Sequence, residues 1–186
     1  MLAVKTSTSQ LYMVAALYHH EGQQHLDMYP TDKEPTVIKV ETKEHKIDLN
    51  NGADYRRRWF FCQNVVPQIM RVINVLNEQE IIFEEETWLN LHNSNLRIES
   101  RNISFSKYAR LSEESTFTPS VENPSWTIFE QHGRINVNHL GPLNRVLEMF
   151  AKKCFTIGAT KALKVMEEIL YERCHSEKGN TSQRSC

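Results

Sequence analysis

Alternating apolar and polar residues dominate the middle of the chain and predict a series of β-strands. Thr36 to Val40 is β-branched and predicts one strand, and Asp54 to Cys62, rich in aromatic residues, predicts the next. Asn50-Asn51-Gly52 between them is a turn signal, which favours a hairpin. Further strands are predicted over 84–91, 96–105, 109–118 and 126–137. Consecutive strands with short connections are typical of an antiparallel meander.

Helical spacing of apolar residues appears in other segments. Met13 to Tyr18 is a short apolar run that fits a helix, and Pro67 can occupy the first turn of a helix that ends near Asn77. The closing segment from Pro142 to Tyr171 repeats apolar residues at the helical period and predicts a long helix. The expected fold class is therefore α+β, with a curved antiparallel sheet of about six or seven strands packed against long helices.

Composition indicates a globular protein and disfavours nucleic-acid binding. Hydrophobic residues make up 40% of the chain and charged residues 24%, with only 6 Gly and 6 Pro. Lys and Arg total 22 against 23 for Asp and Glu, so the net charge of -1 provides no overall field that attracts nucleic acid. No apolar run approaches the roughly 20 residues of a membrane-spanning helix.

Common signatures of catalysis and of metal binding are absent from the sequence. It contains no GxSxG, GxGxxG or GxxxxGK[ST] motif, and its 4 cysteines form no CxxC pair. His20 and His25 are one residue too far apart to share the helix face that a zinc-protease motif requires. We therefore expect a non-enzymatic protein with no catalytic residues, no metal site and no cofactor.

Basic residues are concentrated in the predicted C-terminal helix. The first two-thirds of this helix contain one acidic residue, Glu148, and the following basic residues: Arg145, Lys152, Lys153, Lys161 and Lys164. Such cations could surround the mouth of an apolar cavity and hold an anionic head group. A solvated helix face is the alternative explanation of the same pattern.

The run Arg56-Arg57-Arg58 lies in a predicted strand, where successive side chains point to opposite faces. Arg57 then shares a face with Tyr55 and Trp59, while its two neighbours share a face with Phe60. Either an arginine enters the hollow side of the sheet, or the strand is an exposed edge protected by charge.

Several short motifs follow one another in order along the second half of the chain. They are Asn102-Ile103-Ser104-Phe105, Glu122-Asn123-Pro124 with Trp126-Thr127, Glu130-Gln131, and Ala159-Thr160-Lys161. In order and spacing they resemble the PRELI/slowmo domain, and the loop is similar to the PRELI region of longer proteins with CRAL-TRIO and GOLD domains. The resemblance extends from about Val37 to Tyr171. It divides the chain into an atypical N-terminal segment (1–35), a PRELI-like domain (36–173) and a disordered tail (174–186).

The resemblance implies a sheet and helices that enclose a cavity for one phospholipid, and a non-enzymatic carrier that moves this lipid between membranes. Members of the family carry phosphatidic acid or phosphatidylserine across the mitochondrial intermembrane space, together with a small partner that has twin Cys-x9-Cys motifs. The implied contacts are thus a phospholipid, a transient membrane surface and such a partner, with no nucleic acid. The implied location is the intermembrane space, with the cytoplasm as the alternative.

The resemblance also assigns residues. Head-group contacts map to Lys161, with Lys152 and Lys153 at a second basic position about two turns earlier, and Arg57 in the strand. A lid loop falls in Asn77 to Ile82. The opening strand of the family is not evident, although Tyr29-Pro30 is present. A regulatory or protein-docking module without transfer activity is the alternative, favoured by the lack of an evident opening strand and by the acidic stretch from Glu78 to Glu86.

Overall fold

The computed structural model describes residues 2–5, 9–11, 29, 32–68, 71, 74–123 and 127–176. Within these ranges the strands are β1 (Leu2–Lys5), β2 (Ser9–Leu11), β3 (Val37–Asp48), β4 (Ala53–Gln63), β5 (Glu80–Asn90), β6 (Asn95–Asn102), β7 (Ala109–Pro119) and β8 (Thr127–Val137). A 3-10 turn at Asn74–Leu76 precedes β5, and helix α1 (Leu143–Ser176) follows β8.

The strands form one open antiparallel sheet in the order β1-β8-β7-β6-β5-β4-β3, and β2 also pairs with β8. The six long strands are neighbours in chain order, which confirms the predicted meander. Leu2 lies opposite Ile135 and Leu11 opposite Thr127, so the N-terminal segment supplies two short strands. An opening strand that is not evident in the sequence is therefore present. Strands of 4 and 3 residues are too short to show a clear alternation in the sequence.

Alternation along the strands gives the curved sheet a buried inner face and an outer face. In β8, for example, Phe129, Ile135 and Val137 are buried and the positions between them are more exposed. The inner face packs against α1 through a buried apolar cluster of Val66, Leu76, Ile81, Ala109, Ile135, Val137 and Leu147. The core therefore lies between the sheet and the first turns of the helix.

Of the predicted helices, the structure confirms the C-terminal one. It has 34 residues and ends at Ser176, past Tyr171 and into the predicted tail. It is the single long helix in the described ranges, so the expectation of several long helices exceeds what they contain. The predicted helix at 13–18, residues 69, 70, 72 and 73 of the next one, and tail residues 177–186 lie outside the described residues.

The connection from β4 to β5 differs from the predicted lid loop. Because β5 begins at Glu80, the loop before it is confined to 77–79 and the rest of the predicted lid is strand. The Asn64 amide fixes this connection: its Nδ2 donates to the Leu76 oxygen at 2.9 Å and to the Glu78 oxygen at 2.6 Å. Its Oδ1 accepts from the Val66 nitrogen at 2.9 Å. The connection is held to the end of the sheet, which does not fit a free lid.

Candidate functional site

An apolar cavity of about 280 Å³ lies between the inner face of the sheet and α1. This volume is close to the lower end of the roughly 300–1,000 Å³ typical of small-molecule sites. Apolar side chains make up most of its wall: Val65, Val66, Leu76, Ile81, Phe83, Phe105, Ala109, Leu111, Leu147, Phe150, Ala151 and Phe155. Such a wall favours an apolar ligand or the apolar part of an amphipathic one.

One face of α1 forms the helical wall of this cavity. Leu147, Ala151, Cys154 and Gly158 line it and follow one another at intervals of three or four residues. A Cβ added at Gly158 would meet no atom within 4 Å. Gly158 therefore leaves open space beside the cavity, at the last cavity-lining position of α1.

The motif Asn102-Ile103-Ser104-Phe105 has a structural role at the other side of the cavity. The Asn102 Nδ2 donates to the Ala109 oxygen at 2.8 Å, and its Oδ1 accepts from the Leu111 nitrogen at 2.7 Å. These bonds close the turn between β6 and β7 and place Phe105, at φ 63°, against the core. The motif thus builds the cavity wall.

Polar side chains also point into the hollow of the sheet. We call Arg58, Glu85, Glu113 and Gln131 the inner polar cluster. Arg58 pairs with Glu85, and Glu113 accepts hydrogen bonds from Gln131 and, at 3.1 Å, from the Ser115 hydroxyl. Glu113 also lines the cavity. Burial raises the pKa of Glu113, and the charge of Glu85 raises it further against these hydrogen bonds, which favour ionisation.

Tyr29 lies close to the inner polar cluster. Its ring stands edge-on to that of Phe60, with 6.0 Å between the ring centroids. Burial raises the pKa of Tyr29 to about 12, and Glu34 and Glu85 contribute in the same direction. The phenol therefore stays protonated at neutral pH and retains its hydrogen-bond donor.

Lys161 continues the cavity-lining face of α1 by one turn, since it follows Cys154 by seven residues and Gly158 by three. Its Nζ lies 2.9 Å from Oε2 of Glu34, and its side chain is 44% exposed. Burial would raise the pKa of Glu34, but the bonds from Thr36 and Lys161 outweigh it and lower this pKa. A half-exposed cation that already holds a carboxylate thus lies on the cavity-facing side of the helix.

The structure places the other three predicted head-group residues away from the cavity. Lys152 and Lys153 are exposed and fall between the cavity-lining positions of α1, because the helical period turns them outward. Arg57 lies on the outer face of β4, with its Nη2 3.1 Å from Oε2 of Glu44. Contacts from these three residues to a head group inside the cavity do not fit this geometry.

Two arginines that sequence reasoning did not select reach the hollow instead. Arg56 and Arg58 are 7% and 6% exposed. Arg56 pairs with Asp54 at 3.2 Å, and Arg58 belongs to the inner polar cluster. The alternation of side chains along a strand correctly separates Arg56 and Arg58 from Arg57. It does not show which face of β4 lines the hollow, because aromatic residues occupy both faces.

The acidic stretch that favoured a docking module is divided between the two faces. Glu84 and Glu86 lie on the outer face, where they accept from the Trp59 Nε1 at 3.0 Å and the Tyr55 hydroxyl at 2.9 Å. Glu85 points inward to Arg58. These carboxylates therefore form no single acidic surface.

No cluster of three or more His, Cys, Asp or Glu side chains in the described ranges is placed to hold a metal ion. Among those same ranges, α1 included, no helix combines the length and apolarity needed to cross a bilayer. Burial raises the pKa of Cys62 to about 11, so its thiol is protonated at neutral pH.

The fold and the motifs define the class of protein. Residues 22–177 match the model of the PRELI-like family, and the chain belongs to that family. This membership confirms the resemblance read from the sequence.

The chain is also similar to individual proteins. It is 24% identical over 142 residues to the Protein slowmo homolog of Dictyostelium discoideum, a match covering 76% of this chain and 61% of that protein. It is 27% identical over 148 residues to the UPS-like protein C36.10 of Schizosaccharomyces pombe, covering 78% of each. The CRAL-TRIO domain-containing protein T23G5.2 of Caenorhabditis elegans is 27% identical over 121 residues, which are 63% of this chain and 17% of that protein. The chain thus spans less than two-thirds of the first and third relatives.

Two solved structures share the fold at 12% sequence identity and a TM-score of 0.60 each. One is TTHA0849 from Thermus thermophilus, with 92% of this chain and 99% of that chain covered. The other is the Zhui aromatase/cyclase from Streptomyces sp. R1128, with 92% and 94% covered. At this identity the likeness supports the curved sheet and its C-terminal helix alone.

Proposed function

We propose that the protein binds one phospholipid and carries it between membranes without making or breaking a bond. An acyl chain occupies the apolar cavity, and an anionic head group such as that of phosphatidic acid lies at Lys161. The observation that carries this proposal is that α1 forms one wall of an apolar cavity and that the same face of α1 bears a cation, Lys161, one turn beyond the cavity-lining residues. Each buried CH2 contributes about 0.8 kcal/mol, so acyl burial supplies most of the affinity.

Glu34 is part of the proposed head-group site. It holds Lys161 in the absence of ligand, at 2.9 Å, so an anionic head group must compete with this carboxylate for the same ammonium group. The competition favours a head group with more negative charge or more oxygen atoms than one carboxylate, which a phosphate monoester provides.

Family membership supports two further parts of the proposal. A small helical partner with twin Cys-x9-Cys motifs would accompany the carrier, and the intermembrane space of mitochondria would be its location.

The test is an equilibrium titration of the purified protein with fluorescently labelled phosphatidic acid in the absence of vesicles. Lys161→Ala should weaken binding about 10-fold, since a charge-assisted hydrogen bond contributes about 1.5 kcal/mol or more. Glu34→Gln should strengthen binding, because Lys161 then loses its competing carboxylate. Lys164→Ala is the matched control, because Lys164 is 76% exposed and lies one turn away from Lys161. This variant should bind the lipid as tightly as the unmodified protein.

No saturable binding by the unmodified protein, with or without a Cys-rich helical partner, would support a docking module instead. Equal losses in Lys161→Ala and Lys164→Ala would show that nonspecific charge attracts the lipid and that Lys161 does not form a head-group site.

A further inference from the structure

The exposed surface of α1 carries large apolar side chains beside the flank of the cavity-lining face that bears Phe150, which Val146 precedes by four residues and Ile157 follows by seven. Val146 is 52% exposed, Met149 67% and Ile157 57%. Exposed apolar residues scattered singly need no explanation, but these three share one side of a single helix. This side therefore presents apolar surface to the surroundings of the protein.

Exposed basic side chains adjoin these apolar ones. Lys153 follows Met149 by four residues and Val146 by seven, whereas Arg145 and Lys152 lie at the other edge of Met149. Glu148, the acidic residue of this part of the helix, is half-buried beside the face. We call Arg145, Val146, Met149, Lys152, Lys153 and Ile157 the outer face of α1. It carries three positive charges, and the Glu148 carboxylate lies at its edge, three residues after Arg145 and four before Lys152.

We propose that the outer face of α1 docks on an anionic lipid surface. Helices that lie in a membrane interface combine apolar side chains, which enter the acyl boundary, with Lys and Arg that contact anionic head groups. Each basic residue near such a surface contributes about 1 kcal/mol, which is a factor of about 5 in binding. A protein interface is a poorer fit, since lysine is depleted in such interfaces.

This inference rests on the proposed function, because it states where a lipid carrier meets its membrane. The same helix would then serve two purposes: its inner face closes the cavity, while its outer face lies against the bilayer. The residues of the two faces do not overlap, so variants can separate membrane docking from lipid binding.

The experiment is flotation of the full chain with phosphatidylcholine vesicles that contain or lack phosphatidic acid. The protein should bind the anionic vesicles, and added salt should weaken this binding. The double variant Lys152→Glu/Lys153→Glu should lose binding about 30-fold or more, and Met149→Ser/Ile157→Ser should also lose binding. The control Lys107→Glu/Arg110→Glu makes the same charge change at exposed positions elsewhere and should bind like the unmodified protein.

A parallel titration with labelled phosphatidic acid in solution separates the two proposals. All these variants should retain their affinity for the single lipid. If the unmodified protein itself did not bind labelled phosphatidic acid in solution, that result would contradict the cavity site and not the docking inference. Vesicle binding that is unchanged in Lys152→Glu/Lys153→Glu would overturn the docking inference. It would equally be overturned if Met149→Ser/Ile157→Ser converted a dimer into a monomer while vesicle binding stayed constant, since the face would then bind a second copy.

Discussion

At the scale of single residues, the face of the strand on which a charged side chain lies decides which groups it can contact. Arg57 and Arg58 are neighbours in β4, yet one pairs with Glu44 outside the sheet and the other with Glu85 in the hollow. The sequence predicts this separation through the two-residue period of a strand. It does not predict the direction of sheet curvature, which depends on where α1 packs. Arg57 was therefore selected in place of Arg58.

Glu113 provides a prediction at this scale. Burial raises its pKa above the ordinary value of 4.5, so the folded protein binds this proton more tightly than the unfolded chain does. Its contribution to stability is therefore fully present below pH 4.5 and is lost as the pH rises through the folded pKa. Glu113→Gln cannot lose a proton and keeps an oxygen that accepts from Gln131. Its melting temperature should exceed that of the unmodified protein at about pH 7.5 and approach it at about pH 4.

Thermal unfolding at both pH values checks this prediction, where each 1 kcal/mol appears as about 2–4 °C for a chain of this size. Glu114→Gln, a change at the next position on the outer face, is the control and should not show the same rise. A lower melting temperature of Glu113→Gln at the higher pH would show that the ionised carboxylate stabilises the fold, contrary to the burial argument.

At the scale of secondary-structure elements, the contact between α1 and β8 sets the depth of the hollow. The ring of Phe155 lies over Gly133, where an added Cβ would come within 2.3 Å of the Phe155 Cζ. A glycine in the middle of a strand commonly marks such a close approach. The ring thus brings the helix near β8.

This contact predicts a coupled pair of substitutions. Gly133→Ala should destabilise the protein by about 1–2 kcal/mol, because the ring and the helix must shift to admit the methyl group. In the background Phe155→Leu the same substitution should cost less, so a double-mutant cycle from urea unfolding should give a coupling energy of at least about 0.5 kcal/mol. Strictly additive effects would contradict the contact.

The sequence predicted elements well where their pattern was long. β4 to β8 carry repeated alternation and α1 carries helical spacing, and the structure confirms these elements. β3 was predicted from its β-branched residues over 36–40 alone, and in the structure it continues to Asp48. β1 and β2 were missed because they have only 4 and 3 residues. The start of β5 at Glu80 was missed because the resemblance assigned Asn77 to Ile82 to a lid loop, although Ile81, Ile82 and Phe83 are apolar.

At the scale of the whole molecule, the cavity depends on the joint placement of sheet and helix. Helical spacing identified the apolar residues of α1, but not that Gly158 leaves open space beside the cavity, because a glycine in a helix has several explanations. The position of Lys161 relative to Glu34 likewise depends on a contact between segments far apart in the chain. Such contacts have no local signal in the sequence.

Gly158 offers the sharpest test of the cavity as a lipid site, because it lines the cavity and has room for a side chain. Gly158→Ala should stabilise the helix by about 0.5–1 kcal/mol and leave lipid affinity nearly unchanged. Gly158→Phe should fold equally well but fill the space that an acyl chain requires. The decisive measurement is the affinity of the two variants for labelled phosphatidic acid in solution. We expect Gly158→Phe to bind at least about 10-fold more weakly than Gly158→Ala, and equal affinities would show that the lipid does not enter the cavity.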